Sequence, residues 1–319
     1  MIDWKSYKKP IVALAPMADM SDLPFCLVSK DVGVSLMFRE MVSSEAIVRL
    51  NPKTLKMAMF DERERPIVQQ IFGANPEVMA EAARIIYERF KPDAIDINMG
   101  CPVYNLVSNF NGAALIKEPE RAAAIVRAVK AAVPCPVSVK TRLGWSNDTD
   151  CLEFVKVIAD AGADLISMHG RTREQGYSGK ANWKRVGEAR RNVPHVPFLV
   201  NGDILTPEDA REALEQSGAD GVLIGRGLLG NPWFAKQVEA YLADGTLIDP
   251  PTLEERIDTV RKHAKLQLEH YGDHGLTKLR KHLPWYFKHD PKYKPLKEKL
   301  VRISSLAELE EIFEQARAL

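Results

Sequence analysis

The chain has 319 residues, of which 45% are apolar and 27% are charged, and its formal net charge is +1. These values are ordinary for globular proteins and exclude fibrous and intrinsically disordered classes. No apolar run reaches the roughly 18 residues that are needed to cross a bilayer, so we expect no membrane-spanning segment.

Short, mostly β-branched apolar runs recur eight times between residues 11 and 225, with helical spacing of apolar residues in the longer segments between them. The runs are Ile11–Met17, Leu36–Val42, Ile67–Gly73, Ala94–Gly100, Val137–Leu143, Leu165–Gly170, Phe198–Gly202 and Gly221–Gly225. This alternation predicts an α/β protein with a (β/α)8 TIM barrel, and a doubly wound sheet is the competing fold. The barrel is favoured because no G-x-G-x-x-G turn follows the first run and polar residues follow nearly every run.

The start of the chain has basic residues before an apolar stretch, as a signal peptide does. Pro10, Pro16, Asp19 and Asp22 fit a first strand and its loop better. Four cysteines are too few to staple a chain of this length. We therefore expect reduced thiols in a cytoplasmic enzyme.

After about Ala243 the strand-like runs end and helical segments follow, the first of them over Leu253–Tyr271. We predict two domains, a catalytic barrel over 1–243 and a small all-α domain over 244–319. Between Lys278 and Arg302 there are nine Lys or Arg residues, two acidic residues and four interleaved aromatic residues. This segment is either a solvated helix face with aromatic core residues or a surface for nucleic-acid phosphates.

The residues that follow barrel strands are the first candidates for catalysis. Cys101 is the only cysteine at the carboxyl end of a predicted strand, where a thiol can act as nucleophile, metal ligand or proton donor. No second cysteine or histidine lies nearby at ligand spacing, so we expect no metal. Lys140 interrupts an apolar strand and must face a polar or anionic group. His169, the histidine at the mouth, is either a structural residue or a ligand contact.

Other strand ends suit a flat, phosphorylated ligand. Pro16 and its small neighbours allow the backbone to approach a ring closely, with Met17 as a soft contact. The amide of Gln70 offers both a donor and an acceptor to a heterocycle. The glycines in Asn201–Asp203 and Gly225–Arg226, after the last two strands, are typical of a phosphate site.

Taken together, these segments resemble the tRNA-dihydrouridine synthase family. The resemblance covers nearly the whole chain and is carried by the order and spacing of APMA, INMGCP, SVKTRLGW, MHGRTREQGYSG, VNGDI and IGRG, and of RKHLPWY in the tail. It implies an enzyme that holds FMN in the barrel, takes electrons from NADPH and acts on tRNA. We expect a monomer that binds neither membrane nor metal.

The resemblance also implies roles for individual residues. Flavin N5 passes a hydride to uracil C6, and Cys101 donates a proton to C5 of the extruded base. Asn98 and Arg171 contact the substrate. Lys278, Arg280 and Lys281 contact the tRNA backbone. The FMN residues are Pro16, Met17, Ala18, Gln70, Lys140, His169, Asn201, Gly202, Asp203, Gly225 and Arg226.

Two segments depart from the family pattern. Val107–Leu115 replaces a stretch richer in Gly or Lys, and Pro284 replaces a small residue of the tail motif. Three other functions stay open, namely a flavin barrel that reduces a free small molecule of the dihydroorotate or enoate type, a flavin-free phosphate-binding lyase or isomerase, and a non-catalytic RNA-binding barrel. The first leaves the basic tail without a role, and the set of Cys101, Lys140 and His169 argues against the third.

Overall fold

A computed structural model describes residues 1–288 and 290–319, apart from the side chain of Leu106. Eight parallel strands follow one another in chain order and close where β1 pairs with β8. They are β1 (Ile11–Leu14), β2 (Leu36–Ser43), β3 (Ile67–Phe72), β4 (Ala94–Met99), β5 (Val137–Arg142), β6 (Leu165–His169), β7 (Phe198–Asn201) and β8 (Gly221–Ile224). The predicted TIM barrel is therefore confirmed.

Most predicted strands extend one to three residues too far at the carboxyl end. The physical reason is visible at β1, which ends at Leu14 because Pro16 has no N–H to donate to a neighbouring strand. Six of the extra residues line the mouth of the barrel instead, namely Ala15, Pro16, Met17, Gly100, Gly202 and Gly225. The opposite deviation occurs in β2, which continues one residue further, to Ser43.

Helices surround the barrel. They are α1 (Leu23–Asp31), α2 (Ser44–Val48), α3 (Pro52–Ala58), α4 (Pro76–Phe90), α5 (Tyr104–Val107), α6 (Pro119–Ala132), α7 (Cys151–Asp160), α8 (Trp183–Arg191), α9 (Pro207–Ser217) and α10 (Phe234–Asp244). Six of them begin at a residue whose side chain caps the helix, namely α1, α2, α3, α4, α8 and α9. In α9, Thr206 and Asp209 cap each other's backbone N–H groups and a proline stands at the first position. Short 3₁₀ turns cover 62–64 and 112–117.

The barrel interior is filled on the side opposite the mouth. Alternate strand residues such as Ala13, Phe38 and Leu199 point inward, while Val12, Met37 and Val200 pack under the helices. Trp4 stacks on Phe38 with ring centroids 6.2 Å apart and closes the bottom. Open space is therefore left at the carboxyl ends of the strands.

The remaining chain is helical, with α11 (Leu253–Tyr271), α12 (Gly275–Leu279), α13 (Leu283–Phe287), α14 (Lys297–Leu300) and α15 (Leu306–Arg317), and 3₁₀ turns at 272–274 and 291–296. These elements share a core of their own, which includes Ile257, Leu283 and Phe313. Across 1–288 and 290–319, no helix is both long and apolar enough to span a bilayer. The predicted basic segment contains residue 289, which lies outside the described residues.

Candidate active site

A cavity of about 380 Å³ opens at the carboxyl ends of the strands. In a parallel barrel the loop after each strand begins at this end, so residues that are distant in sequence lie close together here. Thirteen of the residues predicted for the site line the cavity, namely Pro16, Met17, Ala18, Gln70, Asn98, Cys101, Lys140, His169, Asn201, Gly202, Asp203, Gly225 and Arg226.

The Cys101 thiol lies in the cavity wall just after β4 and is partly exposed. Its backbone N–H donates to Asn98 Oδ1 at 2.9 Å, and its carbonyl accepts from the N–H of Ala113 at 3.0 Å. Gly112 has a φ of +60°, and a Cβ there would lie 2.7 Å from the Cys101 carbonyl oxygen. The loop that departs from the family pattern thus holds the backbone of Cys101. Cys26, Cys135 and Cys151 are buried.

Three side chains form a hydrogen-bonded chain beneath Cys101. Fully buried Asp96 accepts from Ser138 Oγ at 2.5 Å and from Gln70 Nε2 at 2.6 Å. Gln70 Oε1 in turn accepts from Asn98 Nδ2 at 2.8 Å. Burial raises the pKa of Asp96 to about 6, although both hydrogen bonds oppose the shift. The amides of Gln70 and Asn98 are therefore held in one orientation.

Lys140 projects from β5 toward β7, where its Nζ donates to Asn201 Oδ1 at 3.1 Å. Asn201 Nδ2 donates to the carbonyl of Leu223 on β8 at 2.6 Å, which fixes the amide with its oxygen toward the lysine. Burial, followed by the charge of the nearby Arg142 guanidinium, lowers the pKa of Lys140 to about 8, while Asp96 opposes the shift. Lys140 is thus protonated at neutral pH, but it loses its proton at a lower pH than an ordinary lysine does.

Two lining residues with polar side chains, Arg142 and Tyr177, were not assigned a role from the sequence. Arg142, on β5, donates to the carbonyls of Gly100 (2.6 Å) and Thr172 (3.2 Å), and burial lowers its pKa to about 10. Tyr177 is 63% exposed at the cavity edge, and the Arg226 guanidinium lies 4.7 Å from its ring centroid. An aromatic residue in a glycine-rich loop was the available signal for Tyr177, and a second cation on a buried strand was the signal for Arg142.

His169 is buried at the end of β6 among cations. Burial, followed by the charges of Arg142, Lys140, Arg171 and Arg226, lowers its pKa well below the usual 6.5, so the imidazole is neutral at pH 7. Arg171 Nη1 lies 3.3 Å from His169 Nε2, and a guanidinium can only donate. The interaction therefore requires an unprotonated Nε2.

Arg171 lies behind the cavity wall and is 2% exposed. Its guanidinium donates to Asp203 Oδ2 at 2.6 Å and to the carbonyls of Ser178 and Gly179 at 3.1 and 2.6 Å. These bonds hold Asp203, His169 and the loop that carries Tyr177. The placement assigns Arg171 a supporting position behind the site, whereas the sequence led us to expect direct contact with the substrate.

The loop after β7 forms a polar corner with Arg226. Gly202 and Asp203 both have left-handed backbones, with φ of +114° and +55°. A Cβ on Gly202 would lie 2.6 Å from His169 Cδ2, so glycine is required for space as well as for conformation. Arg226, 43% exposed, donates to Asp203 Oδ1 at 3.2 Å. The corner offers an accessible guanidinium to an anion at the cavity edge.

Comparison with known proteins decides the family. The family model described as "Dihydrouridine synthase" matches residues 13–318. The chain belongs to the dihydrouridine synthase family. This confirms the resemblance that the sequence motifs indicate.

Curated relatives are similar along most of their length. The chain is 39% identical over 308 residues to the probable tRNA-dihydrouridine synthase 1 of Synechocystis sp., covering 96% of this chain and 86% of that protein. It is 40% identical over 280 residues to the probable tRNA-dihydrouridine synthase of Rhodobacter capsulatus (87% and 86%). Over 284 residues it is 37% identical to tRNA-dihydrouridine synthase B of Xanthomonas campestris (88% and 85%).

A solved structure supports the fold alone. Histamine dehydrogenase from Rhizobium sp. 4-9 superposes with a TM-score of 0.56 at 13% identity, covering 80% of this chain and 49% of that one. The chain thus spans about half the length of that protein. At this identity the superposition says nothing about the reaction.

In this dihydrouridine synthase, the three tail cations predicted to contact RNA lie in two different settings. Lys278 and Lys281 each place Nζ 3.8 Å from Asp19 Oδ1, and Asp19 follows the lining residue Ala18. Arg280 instead donates from Nε to the carbonyl of Ile303 at 2.8 Å and so holds the C-terminal segment. The two lysines reach the barrel mouth, whereas the arginine stabilises the tail itself.

Proposed function

We propose that this dihydrouridine synthase reduces uridines of tRNA to 5,6-dihydrouridine, with FMN bound in the barrel cavity and NADPH as the reductant. The names of the relatives and the chemistry of the cavity support the proposal. The single observation that carries it is the placement of the Cys101 thiol in one cavity with Lys140 and Arg226.

The residues present fit FMN by their chemical character. Pro16, Met17 and Ala18 offer a small, apolar wall for a flat ring. Gln70 keeps one amide hydrogen beyond the one it donates to Asp96, and Lys140 offers a cation, so both suit a polar ring edge.

The phosphate group of FMN fits the polar corner that Arg226 forms with the loop after β7. Gly202, Asp203 and Gly225 lie in the loops after β7 and β8, where barrels commonly bind phosphate, and Arg226 supplies the charge. With His169 and Asn201, all the residues expected to hold FMN lie around this one cavity.

Reduction of the uracil C5–C6 double bond needs a hydride and a proton, and bound FMN supplies the hydride. The protein must then stabilise negative charge on the base and protonate the second carbon. Cys101 donates the proton to C5. Lys140, which is cationic at pH 7, stabilises negative charge in the cavity, and neutral His169 leaves that role to the lysine.

We propose that residues 1–243 form the catalytic domain and residues 244–319 the tRNA-binding domain. A uridine within folded tRNA must leave its stack to reach the bottom of a cavity, so the rest of the RNA has to be held outside the barrel. The proximity of Lys278 and Lys281 to Asp19, in the loop after β1, supports this role for the tail. All four cysteines are unpaired, which fits a reaction in the reducing cytoplasm.

The substitution Cys101→Ala tests the proposal. We expect the variant to retain FMN, because no flavin-binding role is assigned to the thiol, and to lose about 10²–10⁴-fold in turnover, the usual contribution of a general acid. Dihydrouridine in unmodified tRNA would be quantified by mass spectrometry of nucleosides. The matched control is Asn105→Ala, an exposed residue of α5 that is not among the residues lining the cavity.

Full activity of Cys101→Ala would remove the proton-donor assignment. Efficient turnover of free uridine or orotate without RNA would favour the small-molecule oxidoreductase instead. Purified protein without flavin absorbance would favour a flavin-free phosphate-binding barrel.

A further inference from the structure

The hydrogen-bonded chain beneath the cavity ends on the backbone of Cys101. Asn98 Oδ1 accepts from the N–H groups of Gly100 and Cys101 at 3.2 and 2.9 Å. Asn98 Nδ2 donates to Gln70 Oε1 and lies 3.4 Å from Met41 Sδ. All the polar atoms of Asn98 are thus engaged with other protein groups, although the residue lines the cavity.

The direction of this chain is decided at its buried end. Both Gln70 and Asn98 carry amides that could be turned by half a rotation at little cost in shape. A carboxylate can only accept, so Asp96 requires the NH₂ group of Gln70 to face it. Gln70 Oε1 then faces Asn98, and the NH₂ group of Asn98 faces Gln70. Asn98 Oδ1 therefore faces the N–H groups of Gly100 and Cys101. If this amide were turned over, its NH₂ group would face these two N–H donors and no hydrogen bond could form.

We propose that Asp96 is a positioning residue, which sets the direction of both amides and thereby keeps the backbone of Cys101 seated with its thiol facing the cavity. Asp96 is fully buried and acts through Gln70 and Asn98 rather than by touching a ligand. The importance of this for turnover rests on the proposed function, in which Cys101 donates the proton. The hydrogen-bond geometry itself does not depend on that function.

Three variants distinguish the effect of Asp96 on the orientation of the amides from the effects of its charge and of its packing. Asp96→Leu removes the acceptor, so Gln70 can turn. Asp96→Asn keeps an oxygen for Gln70, because the Ser138 hydroxyl can rotate to accept from the new NH₂ group. Ser138→Ala leaves the carboxylate and its bond to Gln70 in place. Only the first variant should disturb Cys101.

Hydrogen exchange read by mass spectrometry, on a peptide that contains the amides of Gly100 and Cys101, measures this directly. We expect exchange about tenfold faster in Asp96→Leu, the factor that corresponds to losing one hydrogen bond, and near wild-type exchange in Asp96→Asn and Ser138→Ala. A peptide from β6 serves as the internal control. In the same variant kcat on tRNA should fall while tRNA affinity is unchanged.

Unchanged exchange in Asp96→Leu would overturn the inference. Equal acceleration in Asp96→Asn and Asp96→Leu would also overturn it, since it would assign the effect to the charge near Lys140. Should Asp96→Leu not fold, the double variant Asp96→Asn/Ser138→Ala replaces it, because the asparagine then has no hydroxyl to orient it. If exchange in the double variant is accelerated by more than the combined effects of Asp96→Asn and Ser138→Ala, the inference is supported. If the effects of the two substitutions simply add, the inference is contradicted. Faster exchange with unchanged kcat supports the positioning chain and counts against Cys101 as the proton donor.

Discussion

Single residues in the cavity owe their charge state to burial. Lys140 and His169 are both bases that lose affinity for protons because water is excluded and cations surround them. With a pKa of about 8, Lys140 is still charged at pH 7, while His169 is neutral. One barrel mouth thus presents a cation and an uncharged imidazole side by side.

The lowered pKa of Lys140 predicts a pH-dependent affinity for FMN. Lys140 loses its charge as the pH rises through about 8, so we expect the dissociation constant of FMN to rise about tenfold between about pH 7 and about pH 9.5. This range lies above the pH of about 6 at which the phosphate group itself titrates. Lys140→Met should bind more weakly at pH 7 and show no such rise. Flavin fluorescence titration measures both, with exposed Lys180→Met as the control. A flat wild-type profile would refute the role of this charge.

Gly202 is predicted to be intolerant of a methyl group. Gly202→Ala places a Cβ 2.6 Å from His169 Cδ2 at a φ of +114°, so we expect a loss of about 1–3 kcal/mol in the free energy of unfolding and weaker FMN binding. Gly162→Ala is the matched control, because its φ of +101° is similar and the new Cβ would meet only Lys130 Cγ at 3.8 Å, an ordinary contact. Urea unfolding compares the two. Equal losses would show that backbone strain alone matters and that the contact with His169 does not.

At the scale of elements, neighbouring cations of the tail point toward different parts of the molecule. Lys278, on α12, and Lys281, just beyond it, face Asp19 in the loop after β1, and Arg280 between them faces inward to the carbonyl of Ile303. Helical spacing places neighbouring residues on different faces, so adjacent charges need not share a role. The sequence had grouped all three as RNA contacts.

This division predicts different outcomes for the lysines and the arginine. Lys278→Gln/Lys281→Gln should lower tRNA affinity and reduce the slope of log affinity against log salt by about 1.5, as expected for two lost phosphate contacts. Arg280→Gln should chiefly lower the melting temperature. The double variant Lys8→Gln/Lys265→Gln, which removes two charges from exposed lysines elsewhere, is the charge-matched control. An unchanged salt slope in the double variant would mean that RNA does not contact these lysines.

For the whole molecule, a buried polar cluster joins the barrel to the helical tail. Asp22 caps α1 through its Oδ1, and its Oδ2 accepts from Gln267 Nε2 at 3.2 Å and from the Tyr271 hydroxyl at 3.1 Å. His263 and His282 lie within 4.8 Å of this carboxylate, a spacing compatible with a metal ion. The Gln267 amide, however, lies 3.2 Å from both Asp22 Oδ2 and His263 Nε2 and so links them without an ion.

Asp22→Ala should therefore destabilise the seat of the tail on the barrel. It removes a helix cap and takes away an acceptor from the buried Gln267 amide and from the partly buried Tyr271 hydroxyl, so we expect a loss of about 2–4 kcal/mol in the free energy of unfolding. Asp31→Ala is the control, since Asp31 pairs with Lys262 across the same boundary but both are largely exposed, and such pairs contribute about 0–1 kcal/mol. Urea denaturation of both variants tests this. Similar losses would contradict the importance of the buried cluster.

The sequence by itself determined the barrel, because the alternation of strand and helix periods is local and is repeated eight times. It also indicated most of the cavity residues that have polar side chains, since the carboxyl end of every strand in a closed parallel barrel faces one mouth. The carboxyl-terminal boundaries of the strands were less predictable, because there the chain leaves the sheet to line a cavity.

Tertiary structure alone decided how these residues are connected. Asp96 was not recognised as part of the site, because its link to Cys101 passes through amides on two neighbouring strands. Arg171 and Arg280 have the same residue type as accessible Arg226, yet the carbonyls and carboxylates that engage the first two come from distant segments or loops. Periodicity and motifs are properties of neighbouring residues, whereas burial and hydrogen-bond partners arise only when the closed barrel and its tail bring separate segments together.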